Sequence, residues 1–244
     1  MVAETTSLNA LEIKSATVPG RIEDVSLRLS RGVVVGLIGS NGSGKSTLLH
    51  VAAGLVPATG AVRWGNRPVT AIPAIERGRC AAWVPQEARF EFGFSVRSVA
   101  AQGRYAHGDD DRGVDAALAA LDLTSLAARP VNQISGGERH RVLLARALAT
   151  AAPLQLWDEP LAALDARHAL DVLRLAHCLA QTGSTVLLSL HDLRVAHCLD
   201  AVAVMQAGRL CAFGPPPEVL TPELLHAVFG VRVRTGPGLI LELP

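Results

Sequence analysis

The sequence predicts an α/β fold in which a mostly parallel sheet is interrupted by a helical lobe, and three observations support this prediction. Short apolar runs typical of strands alternate with helical stretches in both halves of the chain, which implies a parallel sheet. The run Val33–Ile38 is continuously apolar, as expected of a central strand buried on both faces. From about 95 to 150, Ala, Leu and Arg dominate at helical spacing, which predicts the helical lobe.

The predicted elements of the first half begin with short strands and a helix. The helix covers Ser46–Ala53 and is closed by Gly54, a residue typical of helix C-termini. Residues 60–70 contain the turn pair Gly65-Asn66 and predict a hairpin. Strands are predicted at Ala10–Ile13, Val25–Leu29, Val33–Ile38 and Cys80–Val84.

Strands return after the helical lobe, with helices between them. They are predicted at Leu154–Trp157, Thr185–Ser189 and Ala201–Met205. The proline-rich stretch Pro215–Pro217 predicts a break, and a final short helix is predicted near Pro222–Phe229.

Composition excludes several classes of protein. The 244 residues are 49% hydrophobic and 18% charged, which is typical of a globular chain and not of a disordered one. The formal net charge of +1 gives no indication of nucleic-acid binding. The first residues have no apolar core typical of a signal peptide, and no run reaches the roughly 18 apolar residues of a membrane span. We therefore expect a cytoplasmic protein that reaches a membrane only through partners.

The four cysteines form no CxxC pair and predict buried, reduced thiols. Two His-Cys pairs, at 177–178 and 197–198, resemble a metal set at first sight. Adjacent residues on a helix point in different directions, so each pair is a poor chelate.

A glycine-rich motif links the strand Val33–Ile38 to the helix Ser46–Ala53. The sequence GSNGSGKST fits the pattern G-x-x-x-x-G-K-[ST] of a nucleotide-phosphate loop. Its glycines let backbone N–H groups turn toward phosphate oxygens, and the helix N-terminus adds partial positive charge. The pattern predicts that the lysine reaches the β- and γ-phosphates and that the serine after it binds Mg²⁺. The predicted nucleotide-binding residues here are Gly39, Ser40, Asn41, Gly42, Ser43, Gly44, Lys45, Ser46 and Thr47.

Further motifs follow along the chain. Gln86 ends the fourth predicted strand, residues 134–139 read ISGGER, residues 154–165 read LQLWDEPLAALD, and residues 187–192 read LLSLHD. In this order, over about residues 8 to 232, the sequence resembles the ABC ATPase family. The motifs match its Walker A, Q-loop, signature, Walker B, D-loop and H-loop.

The residue types at these motifs suit the roles that the resemblance implies. Asp158, at a strand end, suits Mg²⁺ binding, and Glu159 suits a base for the attacking water, since a metal-bound carboxylate is a poor base. His191 follows another strand and is predicted to contact the γ-phosphate. Gln86 is predicted to bind Mg²⁺, with Ser46, and to report nucleotide occupancy to the helical lobe.

The resemblance also implies a fold and a dimer. The fold is a P-loop NTPase (RecA-like) core with an N-terminal antiparallel β subdomain and an inserted helical subdomain. One domain is expected: the core with its β subdomain at about 8–86 and 150–232, the helical subdomain at about 87–149, and a tail at 233–244. The expected ligands are ATP and Mg²⁺. Two subunits are expected to pair head to tail, with one subunit's signature closing over the other's ATP; the residues concerned are Ser135, Gly136, Gly137, Glu138 and the D-loop Asp165.

The sequence departs from the family pattern at three places. The stretch Ser15–Arg21 lacks the aromatic residue that usually stacks on adenine, so Val18 or Pro19 is expected to pack on the base instead. Glu138 replaces the commoner glutamine of the signature. Gln155 interrupts a Walker B strand that is usually all apolar, and a buried amide needs partners.

Two stretches resemble the branch of the family that imports iron chelates and cobalamin: FEFGFSVRSVAAQGRYAHG and FGPPPEVLTPELLHAVFGV. This implies an ATPase subunit at the cytoplasmic face of the inner membrane, working with integral-membrane permease subunits and, indirectly, with a periplasmic or extracellular substrate-binding protein. A soluble ABC ATPase that serves an assembly scaffold, such as iron–sulfur cluster biogenesis, is the alternative. A DNA-repair ATPase and an inactive binding module rank lower. The alternating Phe90, Phe92 and Phe94 predict either a groove edge for a permease helix or packing inside the helical lobe.

Overall fold

A computed structural model describes residues 9–87, 90, 92–108, 110–230, 232–235 and 239–242, with side chains as far as residue 230. The strands are β1 (Asn9–Val18), β2 (Ile22–Ser30), β3 (Val34–Gly39), β4 (Thr59–Trp64), β5 (Arg67–Pro68), β6 (Ala81–Val84), β7 (Leu154–Trp157), β8 (Thr185–Ser189), β9 (Ala201–Gln206), β10 (Arg209–Gly214), β11 (Arg232–Thr235) and β12 (Leu239–Glu242). The helices are α1 (Lys45–Ala52), α2 (Ala74–Cys80), α3 (Val96–Ala101), α4 (Val114–Ala119), α5 (Gly136–Ala149), α6 (Ala166–Gln181), α7 (Leu193–Ala196), α8 (Pro216–Val219) and α9 (Pro222–Phe229), with short 3₁₀ turns between some of them.

Two sheets form the framework. The six-stranded sheet has the order β10-β9-β3-β8-β7-β6 and is parallel except for β10 at its edge. The four-stranded sheet β2-β1-β4-β5 is antiparallel. Helices α3, α4 and α5 are inserted between β6 and β7. The predicted α/β fold, with its antiparallel β subdomain and helical insertion, is confirmed.

The central strand of the larger sheet is β3, and every one of its residues is buried. It pairs in parallel with β8 on one side and β9 on the other. This explains why its sequence is a continuous apolar run and not an alternating one. The carboxyl ends of β3, β7 and β8 meet at the same edge of the sheet, which is where ligands bind in open α/β sheets.

Two apolar cores cover the two faces of this sheet. One lies between the sheets and includes α1, with Leu11, Ile13, Leu48 and Leu49 among its members. The other joins the opposite face of the larger sheet to the helical lobe. Helix α5 packs against α3, α4 and β6, so it connects the lobe to the sheet directly.

Three short elements differ from the sequence-based prediction. Helix α2 was not predicted because none of its residues is buried, so no apolar stripe marks it. Strand β10 was also missed. The prolines expected to break the chain instead begin α8, where Pro216 occupies a first-turn position that lacks an intrahelical N–H partner in any case.

The C-terminal stretch has more structure than the predicted tail. Strands β11 and β12 pair as an antiparallel hairpin. Residues 236–238, 243 and 244 of that tail, like residues 1–8, lie outside the described part of the chain.

The departure at Gln155 has a structural explanation. Its side chain is 1% exposed, and its Nε2 donates to the Ala152 carbonyl at 2.9 Å. Its Oε1 accepts from Trp157 Nε1 at 3.1 Å. The amide therefore supplies a partner to the indole N–H of a fully buried tryptophan.

Replacing Gln155 with Leu should destabilise the chain by about 1–3 kcal/mol, since the buried Trp157 N–H and Ala152 carbonyl would each lose a partner. Urea unfolding followed by far-UV circular dichroism measures this. The matched control is Gln181→Leu at the exposed end of α6, which should change stability by about 0.5 kcal/mol or less. Equal midpoints for the two variants would contradict the structural role given to Gln155.

Candidate functional site

A cleft of about 670 Å³ lies at the carboxyl end of the larger sheet. It brings the phosphate loop together with three residues that the sequence places far along the chain, and its lining is Gly20, Arg21, Asn41, Gly42, Ser43, Gly44, Lys45, Ser46, Thr47, Gln86, Glu159 and His191. Most of the residues predicted to act on nucleotide thus border one space.

The phosphate loop has a backbone that only glycine adopts easily at three positions. Gly39, Gly42 and Gly44 have φ angles of +155°, +76° and +103°. A Cβ on Gly39 would lie 2.3 Å from the Met205 carbonyl oxygen. A side chain at any of the three positions would strain the backbone, and at Gly39 and Gly44 it would also make close contacts, which explains the glycine spacing of the motif.

Lys45 begins α1 and is 6% exposed. Its ammonium donates to the carbonyls of Gly39 at 2.9 Å and Ser40 at 3.2 Å. Burial lowers the pKa of Lys45, while the carboxylates of Glu159 and Asp158 oppose that shift. The ammonium uses two of its three N–H groups in these hydrogen bonds, and a positive charge beside a glycine-rich loop suits an anionic ligand.

Ser43 gives an independent indication of a ligand in the loop. It is 2% exposed, and its Oγ has no hydrogen-bond partner within the described part of the chain. A buried hydroxyl without a partner is costly. An oxygen-rich ligand such as a polyphosphate would accept this hydrogen bond.

Ser189, at the end of β8, fixes the two acidic residues that follow β7. Its Oγ donates to Asp158 Oδ1 at 2.6 Å and accepts from the Glu159 N–H at 2.8 Å. Asp158 is 2% exposed. Sequence analysis missed this role of Ser189, although a polar residue ending the apolar run TVLLS was the available signal.

The carboxylate of Glu159 contacts two other predicted site residues. Its Oε2 accepts from Gln86 Nε2 at 2.8 Å, and its Oε1 lies 2.5 Å from His191 Nε2. Glu159 has a φ of +52°, which is unusual for a residue with a side chain. Strain of this kind persists where surrounding contacts fix the backbone, and it is common at functional sites.

The residues predicted to bind Mg²⁺ present a compatible set of oxygen ligands. Ser46 and Gln86 line the cleft, and Asp158 follows β7 immediately before Glu159. Hydroxyl, amide and carboxylate oxygens are the ligands that Mg²⁺ prefers in proteins. The described part of the chain contains no group of three or more His, Cys, Asp or Glu residues that could hold a metal ion by themselves.

The signature stretch caps a helix outside this cleft. Ser135 Oγ accepts from the Glu138 N–H at 3.2 Å, and a Glu138 carboxylate oxygen accepts from the Ser135 N–H at 2.7 Å. This reciprocal capping box begins α5 and lowers the pKa of Glu138. A Cβ on Gly137 would lie 2.9 Å from the Ala163 carbonyl, so the D-loop segment approaches the signature closely.

Replacing Glu138 with Ala should destabilise the chain by about 1 kcal/mol at pH 7 through loss of the capping box. Because the pKa of Glu138 is lowered from 4.5 in the folded chain, the contribution of its charge is present above that value. It is lost as the pH falls through the lower folded-state pKa. The difference in urea midpoint between wild type and Glu138→Ala should therefore be smaller at pH 4 than at pH 7.

The control for this comparison is Glu223→Ala, in the first turn of α9, where no capping box is present. We expect a change of a few tenths of a kcal/mol from loss of the charge at the helix N-terminus. A pH-independent difference for Glu138→Ala would contradict the role of its carboxylate.

Asp165, the predicted D-loop residue, caps α6. Its Oδ1 accepts from the His168 N–H at 2.9 Å, and these contacts lower its pKa. Its side chain is 66% exposed, and it does not line the cleft. Five of the predicted nucleotide-contacting residues therefore lie apart from the phosphate loop of their own chain: Ser135, Gly136, Gly137, Glu138 and Asp165. Gly39 and Ser40 take part through their carbonyls, which accept hydrogen bonds from Lys45.

The turn that was expected to supply a base-packing residue borders the cleft. Val18 and Pro19 are not among the residues that line it; Gly20 and Arg21 are. None of the described lining residues is Phe, Tyr or Trp. The role expected of Val18 or Pro19 in packing on the base stays a prediction.

Comparison with known proteins gives consistent matches. The family model described as "ABC transporter" matches residues 22–162. A hemin import ATP-binding protein from Thermobifida fusca is 42% identical over 236 residues, covering 91% of this chain and 83% of that protein. A cobalamin import ATP-binding protein from Halobacterium salinarum is 41% identical over 225 residues, covering 88% of this chain and 56% of that protein. A solved metal-chelate-type ABC transporter in an inward-facing conformation matches with a TM-score of 0.81 and 26% identity, covering 96% of each chain.

Proposed function

Because this chain belongs to the ABC transporter family, we propose that its ATPase activity powers an importer of an iron chelate (ferric siderophore or heme) or of cobalamin, through a separate membrane permease. The observation that carries this is the similarity over most of the chain to subunits named for hemin and cobalamin import. No helix within the described residues has the length and apolar character needed to cross a membrane.

The cleft residues support a division of labour in ATP hydrolysis. Backbone N–H groups of the loop Gly39–Gly44 and the ammonium of Lys45 bind the phosphates. Glu159, held by Gln86 and His191, orients the attacking water and accepts its proton as the bond to the γ-phosphorus forms. ADP is the leaving group, and His191 is placed to contact the γ-phosphate.

Mg²⁺, when bound with ATP, would neutralise charge on the β- and γ-phosphate oxygens. Ser46, Gln86 and Asp158 would hold it. The hydrogen bond from Ser189 to Asp158 fixes the orientation of that carboxylate before nucleotide arrives. Gln86 contacts Glu159 in this structure, so binding a metal through its oxygen and retaining that N–H contact are compatible uses of one amide.

A head-to-tail dimer would complete each nucleotide site. The signature residues Ser135–Glu138 begin a long helix outside the cleft of their own chain. Two glycines and a serine at a helix N-terminus form a backbone anion site that suits a partner subunit's γ-phosphate. The D-loop lies beside this motif, because the Ala163 carbonyl closely approaches Gly137. Asp165, two residues farther along, is exposed.

A surface groove between the core and the helical lobe is the proposed docking site of the permease. We define it by Ile75, Trp83, Phe92, Phe94, Tyr105 and Arg146. Its larger part is a mostly apolar cleft of about 740 Å³ between α2, β6 and the lobe. Gln102 and Arg146 line both this cleft and the smaller one beside the phenylalanines, so the two parts are continuous.

The exposure of the phenylalanines supports the groove-edge interpretation of Phe92 and Phe94. Phe92 and Phe94 are 66% and 52% exposed and meet edge to face at 6.1 Å, while Phe90 packs against the core. Tyr105 is 78% exposed on the opposite rim. A mostly apolar groove with exposed aromatic rims suits an amphipathic helix of a partner protein.

Arg146 gives the groove a charge. Burial lowers the pKa of its guanidinium, and no side-chain hydrogen bond or ion pair engages it within the described part of the chain. A helix whose carboxylate or C-terminal carbonyls reach Arg146 would satisfy it. The proposed subunit is thus held at the cytoplasmic face of the inner membrane by its permease, which in turn receives cargo from a substrate-binding protein.

The test is gentle affinity purification of the tagged chain from its native cells in mild detergent, with partners identified by mass spectrometry. We expect to recover a polytopic permease with wild type and to lose it with Tyr105→Glu, which places a charge on the groove rim. The control is Phe213→Glu, an exposed aromatic residue on β10 outside the groove, which should retain the permease.

Two results would overturn parts of this proposal. Recovery of soluble partners alone would favour the assembly-scaffold ATPase and remove the importer. Equal recovery of the permease with Tyr105→Glu and wild type would keep the transporter but reject the groove as its docking site. ATP binding, measured in the same preparations, reports whether each variant is folded.

A further inference from the structure

We propose that Arg21 is the base-contacting residue of the nucleotide cleft and that its guanidinium plane stacks on adenine. Arg21 lines the cleft together with its neighbour Gly20, and none of the described lining residues is Phe, Tyr or Trp. This inference rests on ATP as the ligand of the cleft.

The backbone of Arg21 is held in a fixed turn. Residues 18–21 connect β1 to β2, with Pro19 and Gly20 at the central positions. Gly20 has a φ of +69°, and the Arg21 N–H donates to the Val18 carbonyl at 3.0 Å. Proline followed by a glycine of positive φ is the pattern of a type II turn, in which the proline ring fixes φ at the first central position.

The same turn packs closely against the phosphate loop. A Cβ on Gly44 would lie 3.1 Å from the Arg21 carbonyl oxygen, and one on Gly208 would lie 2.8 Å from it. The Glu23 N–H donates to the Gly208 carbonyl at 2.9 Å, and the Gly208 N–H donates to the Ser43 carbonyl at 3.0 Å. The position of Arg21 is therefore coupled to the loop that binds the phosphates.

The guanidinium of Arg21 is available for a ligand. The residue is exposed, and its side chain makes no hydrogen bond or ion pair with the described residues. Glu23, the nearest acidic residue along β2, is paired instead with Arg209 at 2.7 Å. Thus no neighbouring carboxylate of the described chain competes for Arg21.

Stacking is the interaction that suits this group best. A guanidinium is planar and weakly hydrated, and it stacks on aromatic rings and on nucleic-acid bases. A contact at the turn rim, anchored to the loop that holds the phosphates, would orient the base at one end of the nucleotide while Lys45 holds the other. Arg21 would then supply the stacking surface that the sequence lacks in aromatic form.

Calorimetric titration of the full chain with ATP and, separately, with inorganic tripolyphosphate tests this proposal. The variants are Arg21→Ala, Arg21→Lys and Arg21→Tyr, with Arg31→Ala, an exposed arginine at the other end of β2, as the control. We expect Arg21→Ala and Arg21→Lys to bind ATP about fivefold more weakly. Arg21→Tyr and Arg31→Ala should bind ATP as wild type does, and tripolyphosphate binding should be unchanged in all four.

The outcomes separate this inference from the proposed function. If Arg21→Lys keeps full affinity while Arg21→Ala weakens tripolyphosphate binding, the residue contacts phosphate by charge and stacking is rejected. If Arg21→Ala binds ATP like wild type, Arg21 makes no useful contact and the inference fails while the ATPase stands. If wild type binds neither ligand, the nucleotide site itself is rejected.

Discussion

Replacing Lys45 with Ala should reduce ATP affinity on the order of 100-fold or more. Lys45 is 6% exposed, and its ammonium is held at the phosphate loop by hydrogen bonds to the carbonyls of Gly39 and Ser40. Losing one partner of a desolvated charge pair costs about 2–5 kcal/mol, because the other charge is left without compensation. In the variant, the triphosphate would lose its main positive charge in the loop.

The fold should survive this change. Burial lowers the pKa of Lys45, so the charged side chain is held against a desolvation cost when no anion is bound. Removing the side chain relieves that cost. The midpoint temperature of thermal unfolding without nucleotide should therefore be no lower in Lys45→Ala than in wild type. Loss of ATP binding would then result from the missing phosphate contact and not from damage to the fold.

The chain offers a matched control, since Lys14 is its other lysine. Lys14 is 59% exposed and pairs with Glu12 on β1. Lys14→Ala should bind ATP as wild type does in calorimetric titration. An affinity of Lys45→Ala within threefold of wild type would contradict the role of Lys45 in phosphate binding.

The parts of the fold that sequence analysis predicted are those with a local signal. β7 and β8 were predicted with their observed bounds because each is a short, wholly buried and mainly apolar run. The phosphate loop was predicted because its glycine spacing, the strand before it and the helix after it are all recognisable within one short stretch of sequence. By contrast, α2 has no buried residue and so presents no periodic pattern.

The parts of the site that were missed depend on contacts between distant elements. The hydrogen bonds of Ser189 join the ends of β7 and β8, which are about 30 residues apart in sequence. The lining role of Arg21 depends on a turn packed against Gly44 and Gly208. Neither contact leaves a periodic trace in the sequence, because each involves a single side chain or carbonyl at an element's end.

Glu159→Gln should abolish ATP turnover while leaving ATP binding intact. A positioned general base contributes about 10²- to 10⁴-fold to rate, and an amide does not accept the proton of the attacking water. We therefore expect hydrolysis to fall by at least about 100-fold. If two subunits close over two nucleotides, the variant should accumulate as an ATP-bound dimer.

The geometry predicts that this variant keeps the shape of the site. The amide oxygen of the new side chain would accept from Gln86 Nε2, as Glu159 Oε2 does now. Its NH₂ group would donate to His191 Nε2, provided that the neutral imidazole carries its proton on Nδ1. Both contacts that orient the side chain are then retained, and Ser189 still accepts from the backbone N–H.

Two measurements check this outcome together. Phosphate release gives the turnover rate, and light scattering after size-exclusion chromatography in ATP gives the mass of the particle. Glu223→Gln, in the exposed first turn of α9, should match wild type in both. Turnover of Glu159→Gln above a tenth of the wild-type rate would reject Glu159 as the base. Loss of turnover without formation of a dimer would instead support Glu159 as the base and reject the pairing of subunits across ATP. The one variant therefore tests the role of Glu159 and the dimer separately.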